Sequence, residues 1–276
     1  AIFNYLGLPY IAPALREDNG EIEAAQKGNL PALYDGNPFF GVFHVHTTYS
    51  DGAHSLAEIV QACQEMGHRY VGISDHSEAA FYANGLTAER LKEQHKEIDI
   101  LNQQLKTFKI FKGIEVDILA DGRLDFSDAV LAECDFVIAS VHSQFHLPEA
   151  AMTQRICRAM ENPFVTMLGH ATGRLLLSRE SYALNMETVI QTAARHGKMI
   201  EINASPYRLD LDWRWCKFAK AQGVMTSLNP DAHATAGLSD YNYGIGVARK
   251  GWLEVKDILN TYPTEEVQGI FKKTRT

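Results

Sequence analysis

Nine residues of the kinds that bind divalent cations stand at the ends of short apolar runs in this chain. In residues 43–52, FHVHTTYSDG, His44 and His46 lie two apart, with Asp51 close behind. Alternate residues of a strand face the same way, so the two imidazoles can aim at one point. The same ending recurs as His76 in YVGISDH, Glu115 in FKIFKGIEVD, His142 in FVIASVH and His170 in VTMLGH, then as Asp231 and His233 in VMTSLNPDAH. An isolated H-x-H is more often one interior and one surface histidine. Six of the chain's 11 histidines at such positions is not a chance placement. Mixed histidine and carboxylate donors suit hard or borderline ions such as Mn²⁺ and Zn²⁺, with iron also compatible. Nine donors exceed one ion's needs and fit two or three, which together could bind the attacking and leaving oxygens of a displacement at phosphorus.

The elements that must position these donors are legible in the pattern. With GVFHVH and MIEINAS, the runs above give seven candidate strands, near-continuously apolar and rich in β-branched residues. Amphipathic segments separate them. SLAEIVQACQEMG opens on a Ser55/Glu58 capping box and stops at Gly67, with Ile59, Cys63 and Met66 on one face. TAERLKEQHKEIDILNQQL starts at a Thr87 cap, while NMETVIQTAARHG and DWRWCKFAKAQG end at Gly197 and Gly223. Alternating strand and helix predicts an α/β fold with a parallel sheet, and seven strands favour a closed barrel. Functional groups in such folds gather at the carboxyl ends of the strands, where all nine donors fall.

Other polar residues need weighing. His68, His95 and His196 read as surface or capping residues, His54 is open, and His146 is a candidate substrate contact because it follows His142 in the same loop. Arg174, Arg179, Arg208, Arg249 and Lys250 lie near the expected rim, and a phosphate-cleaving site needs cations for the equatorial oxygens. Arg174 and Arg208 are the stronger candidates. Tyr207, Trp213, Trp215 and Trp252 could stack on bases, although core packing is the safer reading of the tryptophans.

The whole-chain numbers set bounds. With 276 residues, 46% hydrophobic and 22% charged, the chain reads as globular, and no apolar run reaches the roughly 20 residues that cross a bilayer. Cys63, Cys134, Cys157 and Cys216 are widely spaced and form no C-x-x-C, which predicts a reducing cytoplasmic setting. A net charge of −8 does not favour nucleic acid by its overall field. Three bound divalent cations would bring it to about −2 and concentrate positive charge at the site. Residues 1–37, mixing prolines and glycines with a helix-prone piece near residues 21–27, read as a linker-like segment, and residues 38–276 as the main domain. The opening does not resemble a signal peptide, and a first residue of alanine predicts a processed chain or a fragment.

From about residue 41 onward the chain resembles the PHP (polymerase and histidinol phosphatase) superfamily. FHVHTTYSDG, ISDHS, GIEVDIL, SVHS, GHATGRLL and PDAH look like its successive metal motifs. The resemblance implies a distorted seven-stranded (β/α) barrel with a trinuclear site: His44, His46, Glu115 and Asp231 on one ion, Glu115, His142 and His170 on a second, and Asp51, His76 and His233 on a third. Two positions depart from the pattern. Val42 replaces an aspartate common before the first histidine, and Ala171 replaces a proline common after the fifth-strand histidine, which puts the orientation of the ligands in question. LGLPYIAPALREDNGEIEAAQKGNLP, GRLLLSRESY, EINASPYRLDLDW and YGIGVARKGWL are most similar to the C-terminal PHP domain of bacterial family X DNA polymerases. That likeness implies a 3′-5′ exonuclease on DNA 3′ ends, with Glu115, Asp231, His142, Arg174 and Arg208 in the chemistry and an N-terminal polymerase domain absent from this chain. The alternatives are a histidinol-phosphatase-like phosphomonoesterase acting on a small molecule, and a non-catalytic structural or interaction module.

Overall fold

The computed structural model describes residues 2–275. After α1 (Ile2–Tyr5) and α2 (Glu21–Gln26), strand and helix alternate: β1 (Gly41–Val45), α3 (Leu56–Glu65), β2 (Tyr70–Ile73), α4 (Ala88–Gln104), β3 (Lys109–Asp117) and α5 (Asp128–Leu131). β4 (Phe136–Ser140), α6 (Glu149–Met160), β5 (Met167–Leu168), α7 (Met186–Arg195), β6 (Met199–Asn203), α8 (Trp213–Ala221), β7 (Thr226–Asn229), α9 (Tyr241–Lys250) and α10 (Thr264–Lys273) follow. The seven strands pair in chain order, all parallel. Just past β7, the Ala232 carbonyl accepts from His46 N–H at 2.9 Å and its N–H donates to His44 O at 3.1 Å. The sheet is thereby a nearly closed barrel. Each expected run holds a strand, although β5 is only two residues long.

The helix boundaries follow the local signals. Ser55 and Glu58 form the capping box of α3, and Thr87 accepts from Arg90 N–H at the start of α4. Gly67, Gly197 and Gly223 take φ of 82°, 63° and 77° after α3, α7 and α8, where a side chain would be strained. Ile59 and Cys63 are buried, but Met66 is not on that buried face: it is the residue at which α3 ends, and the chain turns it outward.

Strand alternation sorts the barrel into layers. In β6, Ile200 and Ile202 face the helix layer while Met199 points into the lumen; in β3, Ile114 and Val116 face out and Phe111 faces in. The amino-terminal half of the lumen is apolar, filled by Phe43, Phe111, Phe136, Met167 and Met199 and plugged by Phe271 of α10. Phe271 meets Phe43, Phe111 and Phe136 with ring centroids 5.4, 5.5 and 5.6 Å apart. Gly72 and Gly113 make room for these rings, since a Cβ there would meet Phe43 at 2.2 Å and Phe136 at 2.3 Å. The carboxyl-terminal half of the same lumen is polar. A dry base therefore supports the site.

The amino-terminal segment is docked on the barrel. Ile11, Leu15 and Ala25 pack on Trp252, Lys217 Nζ donates to Asn19 O at 2.5 Å, and Lys250 pairs with Glu17 at 2.8 Å. Tyr34 is fully buried in the main core, and Arg249 Nη1 donates to its carbonyl at 3.0 Å. These contacts take Arg249 and Lys250 away from the strand-end rim. The four cysteines are free. Among the described residues no helix is long and apolar enough to cross a membrane.

Two histidines read as surface or capping residues are buried: His68 packs against Phe39 and Tyr241, and His95 lies on the inner face of α4. Burial pushes the pKa of each down to about 4, helped at His95 by the charge of Lys112. An unfolded histidine takes its proton near 6.5, so between pH 6.5 and 4 the unfolded chain binds the extra proton and stability falls as the pH is lowered. His95→Gln is expected to flatten the pH dependence of unfolding free energy in that window by about 1.4 kcal/mol per pH unit. Urea melts at pH 6 and 4.5 measure it; an unaltered slope would mean that His95 titrates normally in the folded protein.

Candidate metal centre

The polar half of the lumen collects all nine expected donors. Glu115, on the lumen face of β3, is the hub: its Oε1 lies 3.2 Å from His44 Nε2, 3.3 Å from His142 Nε2 and 3.0 Å from His170 Nε2. Its Oε2 lies 2.9 Å from His76 Nδ1 and 3.7 Å from His46 Nε2. Asp231 Oδ1 sits 3.4 Å from His44 Nε2 and 3.3 Å from His46 Nε2. At the mouth, Asp51 lies 3.4 Å from His233 Nε2 and 3.7 Å from His76 Nε2. The donors form four overlapping groups: His46, Asp51, His76 and His233; His44, His46 and Asp231; His44, Glu115 and His170; His76, Glu115 and His142. His142 therefore groups with His76 rather than with His170, and His46 belongs to two groups.

The route by which His44 and His46 meet differs from regular alternation. Phe43 is in the lumen while Val42 and Val45 lie in the layer under α3, so strict alternation would turn His44 outward. A register shift between Val42 and Val45 and a φ of 59° at His44 turn it in. Asp231 also holds a left-handed φ, 53°. Such a conformation costs a residue with a Cβ about 1–3 kcal/mol and is typical of functional sites.

Three carboxylates that the sequence reading did not single out brace the donors. Glu201, on the lumen face of β6 and fully buried, accepts from His44 Nδ1 at 2.5 Å, Asn229 Nδ2 at 2.8 Å, Asn203 Nδ2 at 3.2 Å and His170 N–H at 2.7 Å. Asp117 accepts from His142 Nδ1 at 2.5 Å. Each bond fixes the tautomer with Nδ1–H outward and leaves Nε2 to face the cluster. Asp75 accepts from Thr47 N–H and Oγ1, both at 2.8 Å, from Ser50 N–H and Oγ at 3.1 and 2.5 Å, and from Gln94 Nε2 at 2.5 Å. It thereby fixes the loop that carries Asp51. A signal was present for all three: a carboxylate inside or at the end of an apolar strand has to be partnered.

Electrostatics match the geometry. Burial would raise the carboxyl pKa of Glu115, but His44, His76 and His142 outweigh it and hold it well below the usual range. Asp231 behaves likewise beside His44, His46 and Arg208, and Asp51 is brought to about 2 by its His233 bond and the charges of His46, His233 and His76 against the opposing effect of burial. Burial pushes His46 to about 3, aided by His233 and His76, and His170 to about 4, aided by Arg208. Both rings are neutral at pH 7 with lone pairs to offer. For His142 and His233, burial is overcome by neighbouring carboxylates, raising them to about 10 and 9. Carboxylates that draw protons onto these rings would equally be satisfied by a divalent cation, so cation binding is linked to proton release.

The donors fit such a cation. His44 Nε2, both ring nitrogens of His46, His76 Nδ1, His170 Nδ1 and Glu115 Oε2 are buried without a hydrogen-bond partner. Buried polar atoms are normally satisfied, and this concentration of unsatisfied ones marks a site built for divalent metal.

The remaining candidates divide. Arg208 reaches the centre: its Nε lies 3.4 Å from Asp231 Oδ2, and its buried Nη1 has no partner. Arg174 does not. Its guanidinium is spent on Arg208 O at 2.8 Å, on Leu209 O and on Asp212 Oδ2 at 2.8 Å, so it holds the loop that carries Arg208 instead of a phosphate. Arg179 is bonded to Gly173 O and lies over the Phe145 ring at 4.2 Å. His54 Nδ1 accepts from Thr235 N–H at 3.3 Å beside the His233 loop, His196 ends α7, and His146 is exposed outside the cluster. Trp252 is buried under Lys217, Trp213 lies under Lys250, and Trp215 packs with Phe218; Tyr207 stays exposed next to Arg208.

Comparison with known proteins agrees with this architecture. The chain is 42% identical over 271 residues to the DNA polymerase/3′-5′ exonuclease PolX of Bacillus subtilis (strain 168), covering 98% of this chain and 47% of that one. It thus spans about half the length of that relative. It is 27% identical over 229 residues to a probable phosphatase of Thermoanaerobacter sp. (strain X514), covering 79% of this chain and 89% of the other. A crystal structure of histidinol phosphate phosphatase from Lactococcus lactis subsp. lactis Il1403, complexed with zinc, L-histidinol and phosphate, superposes with a TM-score of 0.55 at 17% identity. It covers 76% of this chain and 93% of that one, a likeness of fold. The model of the PHP domain matches residues 43–205, more than half of the sequence and the span that supplies seven of the nine donors. This chain belongs to the PHP domain family.

Proposed function

We propose that this chain is a metal-dependent phosphoesterase that acts at the 3′ ends of DNA as a 3′-5′ exonuclease. The observation that carries the reading is the convergence of the nine donors, with Glu115 at their hub and His44 Nε2, both nitrogens of His46 and His76 Nδ1 buried without a hydrogen-bond partner. The similarity to the B. subtilis polymerase/exonuclease along almost the whole chain supports DNA as the substrate. His46, Asp51, His76 and His233, with the groups His44, His46 and Asp231, His44, Glu115 and His170, and His76, Glu115 and His142, would between them hold two or three ions, Mn²⁺ or Zn²⁺, with iron suited to the same donors. Such ions supply Lewis acidity at the phosphoryl oxygens and a nucleophilic water at neutral pH. The chain's own residues orient the reaction. Glu201 and Asp117 lock the His44 and His142 rings, Asp75 fixes the Asp51 loop, and Arg208 offers its free Nη1 to a phosphate oxygen. Water loses a proton as its oxygen bonds to phosphorus, the bond to the penultimate O3′ breaks, that oxygen takes up a proton as the new 3′-hydroxyl, and a nucleoside 5′-monophosphate leaves. A polymerase domain on a longer chain is the proposed partner, and the four free cysteines support a reducing, cytoplasmic setting.

A 5′-labelled single-stranded oligonucleotide incubated with the protein and Mn²⁺ is expected to give a ladder shortening from its 3′ end, abolished by EDTA. An intact oligonucleotide alongside rapid hydrolysis of histidinol phosphate would replace this reading with the small-molecule phosphatase, which the similarity to probable phosphatases favours. A non-catalytic module predicts substoichiometric metal by elemental analysis.

A further inference from the structure

A cleft of about 800 Å³ opens beside the centre, and Arg208, Asp231 and His233 form part of its wall. Leu175, Leu176 and Ala234 add an apolar lining. At its mouth stand Tyr207, 72% exposed, and Leu177, fully exposed with a φ of 62°. The left-handed backbone is costly for a leucine, and exposing that side chain gains nothing in the folded protein alone. Leu176 N–H donates to Tyr207 O at 2.7 Å, which ties together the two loops that present Leu177 and Tyr207.

The volume lies in the range of pockets that enclose a nucleotide-sized ligand. The net charge of −8 does not draw DNA to this chain by its overall field, so contacts close to the metals are where these residues can add affinity. Stacking on an exposed aromatic is such a contact and tolerates any base. We propose that this cleft takes the base and sugar of the 3′-terminal nucleotide of single-stranded DNA, with the base on Tyr207 against Leu177 and its phosphate reaching Arg208 and the centre. The inference rests on the reading of the site as a DNA phosphodiesterase and names the element that makes it select nucleotides.

Two measurements on the full chain test it. In the first, kcat/KM is compared on an oligonucleotide and on bis(p-nitrophenyl) phosphate, which carries no base. Tyr207→Ala and Leu177→Gly are expected to lower the oligonucleotide-to-ester ratio about tenfold or more, Leu177→Gly doing so while relieving the backbone. Equal losses on both substrates, or none, would overturn the proposal. In the second, an oligonucleotide ending in 2-aminopurine is titrated in Ca²⁺. Wild-type protein is expected to quench the terminal fluorophore, and Tyr207→Ala to restore it. Absence of quenching by the wild type overturns the assignment of the cleft whether or not DNA is cut. Ester turnover without oligonucleotide cleavage defeats the exonuclease reading instead, and the fluorescence still decides what the cleft holds.

Discussion

Glu115→Gln is expected to lower hydrolysis by at least about a thousandfold, equivalent to about 4 kcal/mol of lost transition-state stabilisation, while the chain remains folded. Glu115 is the fully buried carboxylate at the hub of the cluster, with Oε1 toward His44, His142 and His170 and Oε2 toward His76 and His46. Replacing it with the neutral amide removes the charge common to two of the four donor groups, so no single neighbour can compensate. The fold has other supports: the apolar lumen plugged by Phe271 and the helix layer around Ile114 and Val116 do not involve the carboxylate. An amide also desolvates more cheaply than an unpaired carboxylate in the same fully buried position. Initial rates across a Mn²⁺ titration, with circular dichroism melts in parallel, separate the two effects. Turnover near the wild-type value at saturating Mn²⁺ would mean that Glu115 is structural.

Much of this site could be read from the sequence because of a rule about strand ends. A parallel strand buried on both faces has no use for a polar residue until its carboxyl end, so His76, Glu115, His142 and His170 stand out against their apolar runs. The seven strands followed from the same runs. What escaped depends on facts that spacing does not carry. Glu201 sits in MIEINAS, and only the barrel's closure shows that it meets His44. Arg174 and Arg208 look equivalent along the chain, but the first is consumed by the carbonyls of the loop that carries the second. His95 has the helical neighbours of a surface residue, and α4 packs with that face inward. Regular strand geometry brought His44 and His46 together on paper, whereas the protein does it with a bulge and a left-handed residue.

The second large effect concerns that bulged histidine. Val42, the position at which the resemblance implied an aspartate, is fully buried among apolar side chains under α3 and can orient nothing in the centre. Glu201 holds His44 instead, from β6 across the closure of the barrel, through the 2.5 Å bond to Nδ1. Its charge favours the tautomer that presents Nε2 to Glu115 and Asp231, and its other contacts to Asn203, Asn229 and the His170 backbone keep it from moving. Glu201→Gln retains the shape but can turn either an acceptor or a donor toward Nδ1, so the ring loses its imposed orientation and part of its basicity. The expected result is metal affinity weakened by about 10- to 100-fold, with turnover at saturating metal reduced far less. Activity followed against free Mn²⁺ concentration gives both quantities from one curve. A lowered plateau with an unchanged midpoint would show that Glu201 acts on the chemistry itself and not on how tightly the centre holds its ions.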